Sequence, residues 1–277
     1  PTSDGATAHG FYYPPTSAAY EGGEDELPPL IVNVHGGPTA TAVPGYDLRI
    51  QYWTSRGFAY LDVNYRGSMG YGTGYRKALE GKWGIYDVDD CVSGAQHLVD
   101  AGLVDPRRIA IRGGSAGGFT VLSAITRSTV FTAASSCFGV TDLKRLVRTT
   151  HKFESHYIGQ LMGTQDIDDP VLDERSPINH IDDIGVPLLL IQGSEDPIVP
   201  AEQATAMYEA LKTAGAPVAL EIFQGEGHGF RLAANIRRRY EAELSFYRQV
   251  WGIGSSCPEA ERRGEEDTFM VKVENLH

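Results

Sequence analysis

Strand-sized apolar runs alternate with amphipathic stretches along most of this chain. Leu30-Ile-Val-Asn-Val34, Phe58-Ala-Tyr-Leu-Asp-Val63, the stretch around Ile109 and Ile111, Phe131 to Val140, Pro187 to Gln192 and Val218 to Phe223 read as buried strands. His9-Gly-Phe-Tyr-Tyr13 is a further strand-like piece. Between them, helices are predicted over Tyr46 to Ser55, ending at Gly57, and over Asp87 to Ala101, with Gly102 as its stop. The second carries Val88, Cys91, Val92, Ala95, Leu98 and Val99 on one face. Two more helices are predicted over Ala201 to Ala214 and Ala233 to Val250, the last with Ile236, Tyr240, Leu244 and Tyr247 at helical spacing. Strands alternating with helices imply a mainly parallel sheet covered on both faces.

Three regions break the rhythm. Residues 1–29 are rich in Pro, Gly and small polar residues, with an exposed turn expected at Glu21-Gly-Gly-Glu-Asp-Glu26. Residues 141–185 are polar and are expected to form an excursion over the carboxyl edge of the sheet, not a separate domain. Residues 254–277 form a highly charged tail, expected to be loosely attached, in which Thr268 to Val273 could add an edge strand. The expected organisation is therefore one α/β domain over 1–253 followed by that tail.

Bulk properties narrow the functional classes. A net charge of −12 argues against a nucleic-acid partner, because such proteins usually present a basic face. The longest apolar run, Val186-Pro-Leu-Leu-Leu-Ile191, is strand-sized, so no membrane span is expected. Cys91, Cys137 and Cys257 are odd in number and far apart, which fits a reducing, cytoplasmic compartment without a disulfide framework. No spacing suggests metal ligands.

The chemistry points to one stretch, Arg108-Ile-Ala-Ile-Arg-Gly-Gly-Ser-Ala-Gly-Gly-Phe-Thr120. A strand that turns at once into a helix strains its apex and leaves room only for glycine nearby, and Gly113 and Gly117 flank Ser115 at the spacing of a nucleophile elbow. With 32 glycines in 277 residues, a bare G-x-S-x-G arises by composition in about one chain in four, so the strand before and helix after it are what give the motif weight. A serine hydroxyl needs a base, and in such sheets acid and base follow in the order Ser, Asp, His. Two downstream loops each follow a buried strand: Gln192-Gly-Ser-Glu-Asp-Pro-Ile-Val-Pro200 and Gln224-Gly-Glu-Gly-His-Gly-Phe230. They supply Asp196, with Glu195 as its rival, and His228. His35 is the nearest alternative base, but its Gly-Gly-Pro context suggests a backbone role. The oxyanion donors expected are the amide of Ala116 and one from the loop after the first core strand, Gly37 ahead of Gly36. No metal or organic cofactor is required by this chemistry.

These motifs together resemble the prolyl oligopeptidase family of serine peptidases, in particular its acylaminoacyl-peptidase and dipeptidyl-peptidase-like branches. The matching residues are His35-Gly-Gly-Pro38, Asn64-Tyr-Arg-Gly-Ser68 with Gly70-Tyr-Gly72, Trp83-Gly-x-x-Asp87-x-x-Asp90, Gly113-Gly-Ser-Ala-Gly-Gly118, Ser176-Pro-Ile178, Gly193-x-x-Asp196-x-x-Val-Pro200 and Gly227-His228. The resemblance covers about residues 8–250 and implies an α/β-hydrolase fold. It also implies catalytic Ser115, Asp196 and His228, an oxyanion hole at Gly37 and Ala116, and cleavage of short peptides near their N-termini. A carboxylesterase on the same triad is the alternative.

The family normally carries a β-propeller before the catalytic domain, and nothing here is long enough to form one. The chain is thus expected to be a catalytic domain apart from a propeller that the full-length protein carries, with a homo-oligomer compatible. Many members also place an arginine two residues after the acid to hold a substrate carbonyl; here that residue is Ile198. Arg66 and Arg175 are the candidate replacements, although Arg66 would also serve to hold its own Gly-rich loop. Phe153 and Tyr157 could line a side-chain pocket, and Glu154 could meet a free substrate amine.

Overall fold

The computed structural model describes residues 1–18, 22–23, 26–149, 155–254 and 270–276. Its strands are β1 (His9–Tyr13), β2 (Leu30–Val34), β3 (Ala59–Asn64), β4 (Ile109–Gly114), β5 (Ala133–Cys137), β6 (Leu188–Gly193) and β7 (Val218–Phe223). They form a sheet in the order β1-β3-β2-β4-β5-β6-β7, parallel throughout except for β1, which runs antiparallel along β3. The helices are α1 (Leu48–Thr54), α2 (Gly72–Lys77), α3 (Tyr86–Asp100), α4 (Ala116–Ile125), α5 (Leu143–Thr149), α6 (Ser155–Met162), α7 (Pro170–Glu174), α8 (Ala201–Ala214) and α9 (Ala233–Trp251), with a 3₁₀ turn over Pro177–Asp183.

Strand alternation sorts the core into two layers. Leu30, Val32 and Val34 of β2, Ile109 and Ile111 of β4, and Leu188 and Leu190 of β6 face one side, packed by Val88, Cys91, Ala95 and Leu98 of α3, by α4, and by Met207 and Leu211 of α8. Ile31, Ala110, Leu189 and Ile191 face the other, covered by Ile50 and Trp53 of α1 and by Ala242, Leu244, Phe246 and Tyr247 of α9. Every residue of α4 is buried, so the helix that follows Ser115 is fixed by packing along its whole length. On the α9 side the polar residues are also buried. Arg112 of β4 makes paired bonds of 3.1 and 2.8 Å to the Glu243 carboxylate, which also accepts from Ser135 of β5 at 2.8 Å. Breaking such a desolvated pair would strand a charge, so it pins α9 to the two central strands.

Several boundaries depart from the sequence pattern, each for a local reason. The strand expected over Phe131 to Val140 shortens to β5, which ends at Cys137 because Phe138, with φ of 40°, leaves the extended conformation. The helix expected from Tyr46 starts at Leu48, since the Asp47 side chain accepts from the Arg49 amide and caps it. In α9 the buried face includes Ala242, Glu243 and Phe246, while Ile236 remains 39% exposed. The described residues of 141–185 are largely helical, and Ile158, Leu161, Met162 and Leu172 join the α3/α4 layer. The tail is tied down at its end: Val271 is buried, its carbonyl accepts from Gln249, and Glu274 exchanges two backbone bonds with Val218 of β7. The edge strand anticipated there reduces to that one bridge over the described residues, Thr268 and Phe269 lying outside them, as do residues 21, 24 and 25 of the turn expected at 21–26.

Candidate active site

Ser115 sits between β4 and α4 with φ 56° and ψ −123°, a left-handed conformation that is costly for a side chain with a β-carbon. The surroundings hold it there. Its amide donates to the Cys137 carbonyl at 3.0 Å, and the next turn of α4 begins on its own carbonyl, which accepts from Phe119 at 3.0 Å. A β-carbon on Gly113 would come within 2.6 Å of the Gly117 carbonyl, and one on Gly117 would collide with the Val34 carbonyl. Gly118 is equally closed off, by Gly139 at 2.7 Å. The glycines are thus a steric requirement of strand and helix touching.

The two downstream loops converge on this hydroxyl. His228 Nε2 lies 2.8 Å from Ser115 Oγ, and Nδ1 lies 2.8 Å from Asp196 Oδ2. Since a carboxylate only accepts, Nδ1–H is the donor to Asp196, and Nε2 then accepts from the serine. The Asp196 carboxylate is buried and aimed by three further donors: the amides of Ile198 and Val199 at 2.9 Å and Gln192 Nε2 at 3.2 Å. Burial by itself pushes the Asp196 pKa up, but the His228 contact and the Val199 and Ile198 amides outweigh it and hold the group below its ordinary value. Glu195, the rival acid, is exposed, and its amide donates to the Glu226 carbonyl of the other loop at 2.9 Å.

The loop carrying His228 is anchored by a residue that the sequence did not single out. Glu226 is buried, and its carboxylate accepts from the amides of Arg231 (2.8 Å) and Leu232 (3.0 Å) and from Asn235 Nδ2 (2.9 Å). It thereby ties the histidine loop to the start of α9. Gly193 allows the acid and base loops to meet, because a β-carbon there would overlap the Glu226 carbonyl.

The loop after β2 closes over the elbow. A β-carbon on Gly36 would lie 3.0 Å from the Gly114 carbonyl and 3.5 Å from Ser115 Cβ, and Gly37 has φ of 115°, with the Ala40 amide 2.7 Å from where its β-carbon would be. Gly37 precedes a cis Pro38. Ala116 supplies the first amide of α4, which has no preceding helical turn to bond with. The second motif, Asn64-Tyr-Arg-Gly-Ser68, turns out to be the clamp on this loop. Asn64 accepts from the Ala42 amide (2.7 Å) and donates to its carbonyl (3.0 Å). Tyr65 stacks on His35 and points its hydroxyl at the carbonyls of Pro38 (2.7 Å) and His35 (3.1 Å). The His35 ring is occupied at both ends, Nδ1 donating to Gly36 O at 2.9 Å and Nε2 meeting Ser68 Oγ at 2.7 Å, and burial holds its pKa low. The backbone role expected for His35 fits this geometry.

The expected substrate contacts fare differently. Arg66 is buried and paired with Asp90, Asp89 and Asp4, at 2.7 to 3.0 Å, with its guanidinium over the Tyr86 ring. These contacts suit the loop-holding role that its sequence context suggests. Arg175 donates to the Trp83 carbonyl at 3.2 Å, on the α7 side of the fold. Tyr157 reaches the oxyanion loop, its hydroxyl 3.0 Å from Thr39 Oγ1. Glu154 and Phe153 lie outside the described residues. Ile198, two residues after the acid, is 46% exposed. Asp87 is fully buried beneath the elbow helix, accepting from the Gly84 amide at 2.6 Å and Thr120 Oγ1 at 2.5 Å, and burial pushes its pKa up to about 6. Among the described residues no cluster of His, Cys, Asp and Glu is arranged to hold a metal ion.

Comparison with known proteins agrees with this geometry. The model of the prolyl oligopeptidase family matches residues 44–254. The chain is 34% identical over 246 residues to dipeptidyl aminopeptidase BIII of Pseudoxanthomonas mexicana, covering 86% of this chain and 36% of that protein. It is 32% identical over 227 residues to the acylamino-acid-releasing enzyme of Arabidopsis thaliana, covering 78% of this chain and 29% of that one. Among solved structures, a Mycobacterium tuberculosis puromycin-hydrolyzing peptidase superposes with a TM-score of 0.89 at 47% identity, over 91% of this chain and 38% of that one. The chain therefore spans only a minor part of the length of these relatives. An elbow serine, a histidine and an aspartate meeting above one α/β-hydrolase sheet, within a match to most of the sequence, place this chain in the prolyl oligopeptidase family.

Proposed function

We propose that this chain is the catalytic domain, over residues 1–253, of a serine peptidase that hydrolyses amide bonds of short peptides or aminoacyl amides near the N-terminus. The observation that carries the reading is the unbroken relay of 2.8 Å contacts from Asp196 through His228 to Ser115. His228 takes the serine proton as Oγ attacks the carbonyl, and Asp196 stabilises the imidazolium and fixes its tautomer. The tetrahedral oxyanion is received by the amides of Ala116 and Gly37, each such donor contributing about 3 kcal/mol in comparable enzymes. His228 returns the proton to the leaving amine, leaving an acyl-enzyme on Ser115. Water then attacks that ester with His228 again as base, and the acid product departs as the serine is reprotonated.

Support for the substrate class comes from the relatives, whose names specify dipeptide, acylamino-acid and puromycin chemistry. Tyr157, held beside the oxyanion loop by Thr39, is proposed as a substrate contact, and Glu154 as a contact for the substrate amine. The greater length of the relatives supports a further domain, proposed as an N-terminal β-propeller, that limits access to short substrates. A cytoplasmic location is proposed from the buried free thiols of Cys91 and Cys137. Among the described residues no helix is long and apolar enough to cross a membrane.

The test is a comparison of aminoacyl-arylamides, puromycin and short acyl esters on the purified protein, beside Ser115→Ala. Amide turnover that disappears in Ser115→Ala, with an unchanged unfolding transition, is the expected result. Turnover of esters alone would overturn the peptidase reading, and amide turnover surviving in the variant would overturn the role of Ser115.

A further inference from the structure

We infer that Phe138 is a positioning residue for the general base, joining the three strands that carry Ser115, Asp196 and His228. The inference rests on His228 acting as that base. Phe138 follows β5 directly and has φ of 40°, a backbone region where a bulky side chain is a real outlier. Strain of this kind persists where surrounding contacts impose it, often beside reacting groups. Here the contacts reach all three loops. The carbonyl just before Phe138, that of Cys137, accepts the amide of Ser115 at 3.0 Å, and the Phe138 amide donates to Ile191 on β6 at 2.7 Å. The peptide between Cys137 and Phe138 therefore bridges the nucleophile's turn to the strand that leads into the Asp196 loop.

The turned backbone delivers the ring to the third loop. Its centroid lies 4.9 Å from the His228 imidazole at 58°, and 6.0 Å from Phe230 in an edge arrangement. Such tilted aromatic contacts are attractive and directional. The Arg239 guanidinium lies over the ring at 5.9 Å from its centroid. The near edge rests on the elbow: a β-carbon on Gly114 would lie 2.8 Å from Phe138 Cε2 and 3.2 Å from Cζ, with nothing else closer than 3.7 Å. This accounts for the extra glycine at 114, which the G-x-S-x-G pattern does not demand. It makes room for the ring, while Gly113 and Gly117 make room for the helix. A ring wedged between Gly114 and His228 stops the imidazole from swinging away from Ser115 when its serine bond is broken during the reaction.

A double-mutant cycle with kinetic and spectroscopic readouts tests this on the purified protein. Phe138→Ala should lower kcat about 10- to 100-fold with KM within about twofold, since small misplacements of a catalytic group cost rate more than binding. Phe138→Leu, which restores most of the volume, should recover much of the loss. Gly114→Ala should also lower kcat, because its methyl drives the ring toward His228, yet in the Phe138→Ala background it should add nothing further. The downfield proton resonance of His228 Nδ1–H should broaden in Phe138→Ala and sharpen again in Phe138→Leu. The inference falls if Phe138→Ala keeps its kcat, if the loss is confined to KM, or if the two substitutions are additive. Should Phe138→Ala fail to fold, Phe138→Leu and Gly114→Ala decide alone: a wild-type kcat in Gly114→Ala overturns the wedge. A wild-type protein without Ser115-dependent turnover would instead overturn the proposed function.

Discussion

The buried Asp87 carboxylate gives a stability prediction with a definite sign. Free aspartate titrates near 3.8, whereas burial raises Asp87 to about 6. The folded protein therefore holds this proton more tightly than the unfolded chain does, and the group costs nothing below 3.8. As pH rises through 3.8 to 6 the cost grows, and above 6 it is constant. At 1.36 kcal/mol per pH unit the gap is worth about 3 kcal/mol. Asp87→Asn removes the charge without breaking the local bonds. The amide oxygen can accept from Gly84, and its NH₂ can donate to Thr120 Oγ1, whose own proton turns to the Ala116 carbonyl, already 3.1 Å away. Denaturant midpoints for both proteins from pH 4.5 to 8 would supply the difference curve. The variant should gain on the parent by about 2–3 kcal/mol across that range, nearly all of it below pH 7. A difference that is flat with pH, or one of opposite slope, would show that Asp87 is not desolvated as described.

Three other outcomes follow from the same contacts. Tyr65→Phe leaves the Pro38 carbonyl without its buried donor and frees the loop bearing Gly37; kcat should drop about 10-fold or more while stability falls about 1–3 kcal/mol, which kinetics and urea melts read separately. Glu226→Ala strips three acceptor bonds from the start of α9, so the His228 loop should become protease-sensitive and kcat/KM should fall about 10-fold; unchanged proteolysis would refute the tether. Because Glu226 is held below its ordinary pKa, despite burial, by the Arg231 amide, Asn235 and the Leu232 amide, the parent should also lose stability as pH falls through that lowered pKa. Glu226→Gln should flatten that loss.

What could be read before the fold was known is what sterics forces onto the sequence. Ser115 was legible because a strand touching a helix permits only glycine at 113 and 117. His228 and Asp196 were legible because each follows a buried strand in a parallel sheet, where loops at one edge must converge. The partners of Arg66 were not legible, because an arginine in a glycine-rich loop gives no local sign of three carboxylates arriving from distant segments. The helices within 141–185 were hidden by their shortness and polar faces, since α7 has only five residues and its one fully buried side chain is Leu172.

Phe138 and Tyr65 were missed for a further reason that bears on how the site works. Both are apolar rings in sequence, yet both act through backbone geometry: one by an unusual φ that turns its ring toward the base, the other by a hydroxyl aimed at carbonyls of the oxyanion loop. Neither is encoded by periodicity, because each answers to atoms from a separate strand. The three polar side chains of the triad would be loose on their own loops, with the glycines that let those loops approach also leaving them flexible. The rigidity has to come from neighbours with bulk. Gly114 and Gly36 are then halves of pairs, each glycine vacating the space that Phe138 or the elbow fills. A motif of small residues around a nucleophile thus predicts large ones nearby in space, and the positions to look for them are those directly after β5, which neighbours the nucleophile's strand, and after β3, which neighbours the strand leading into the oxyanion loop.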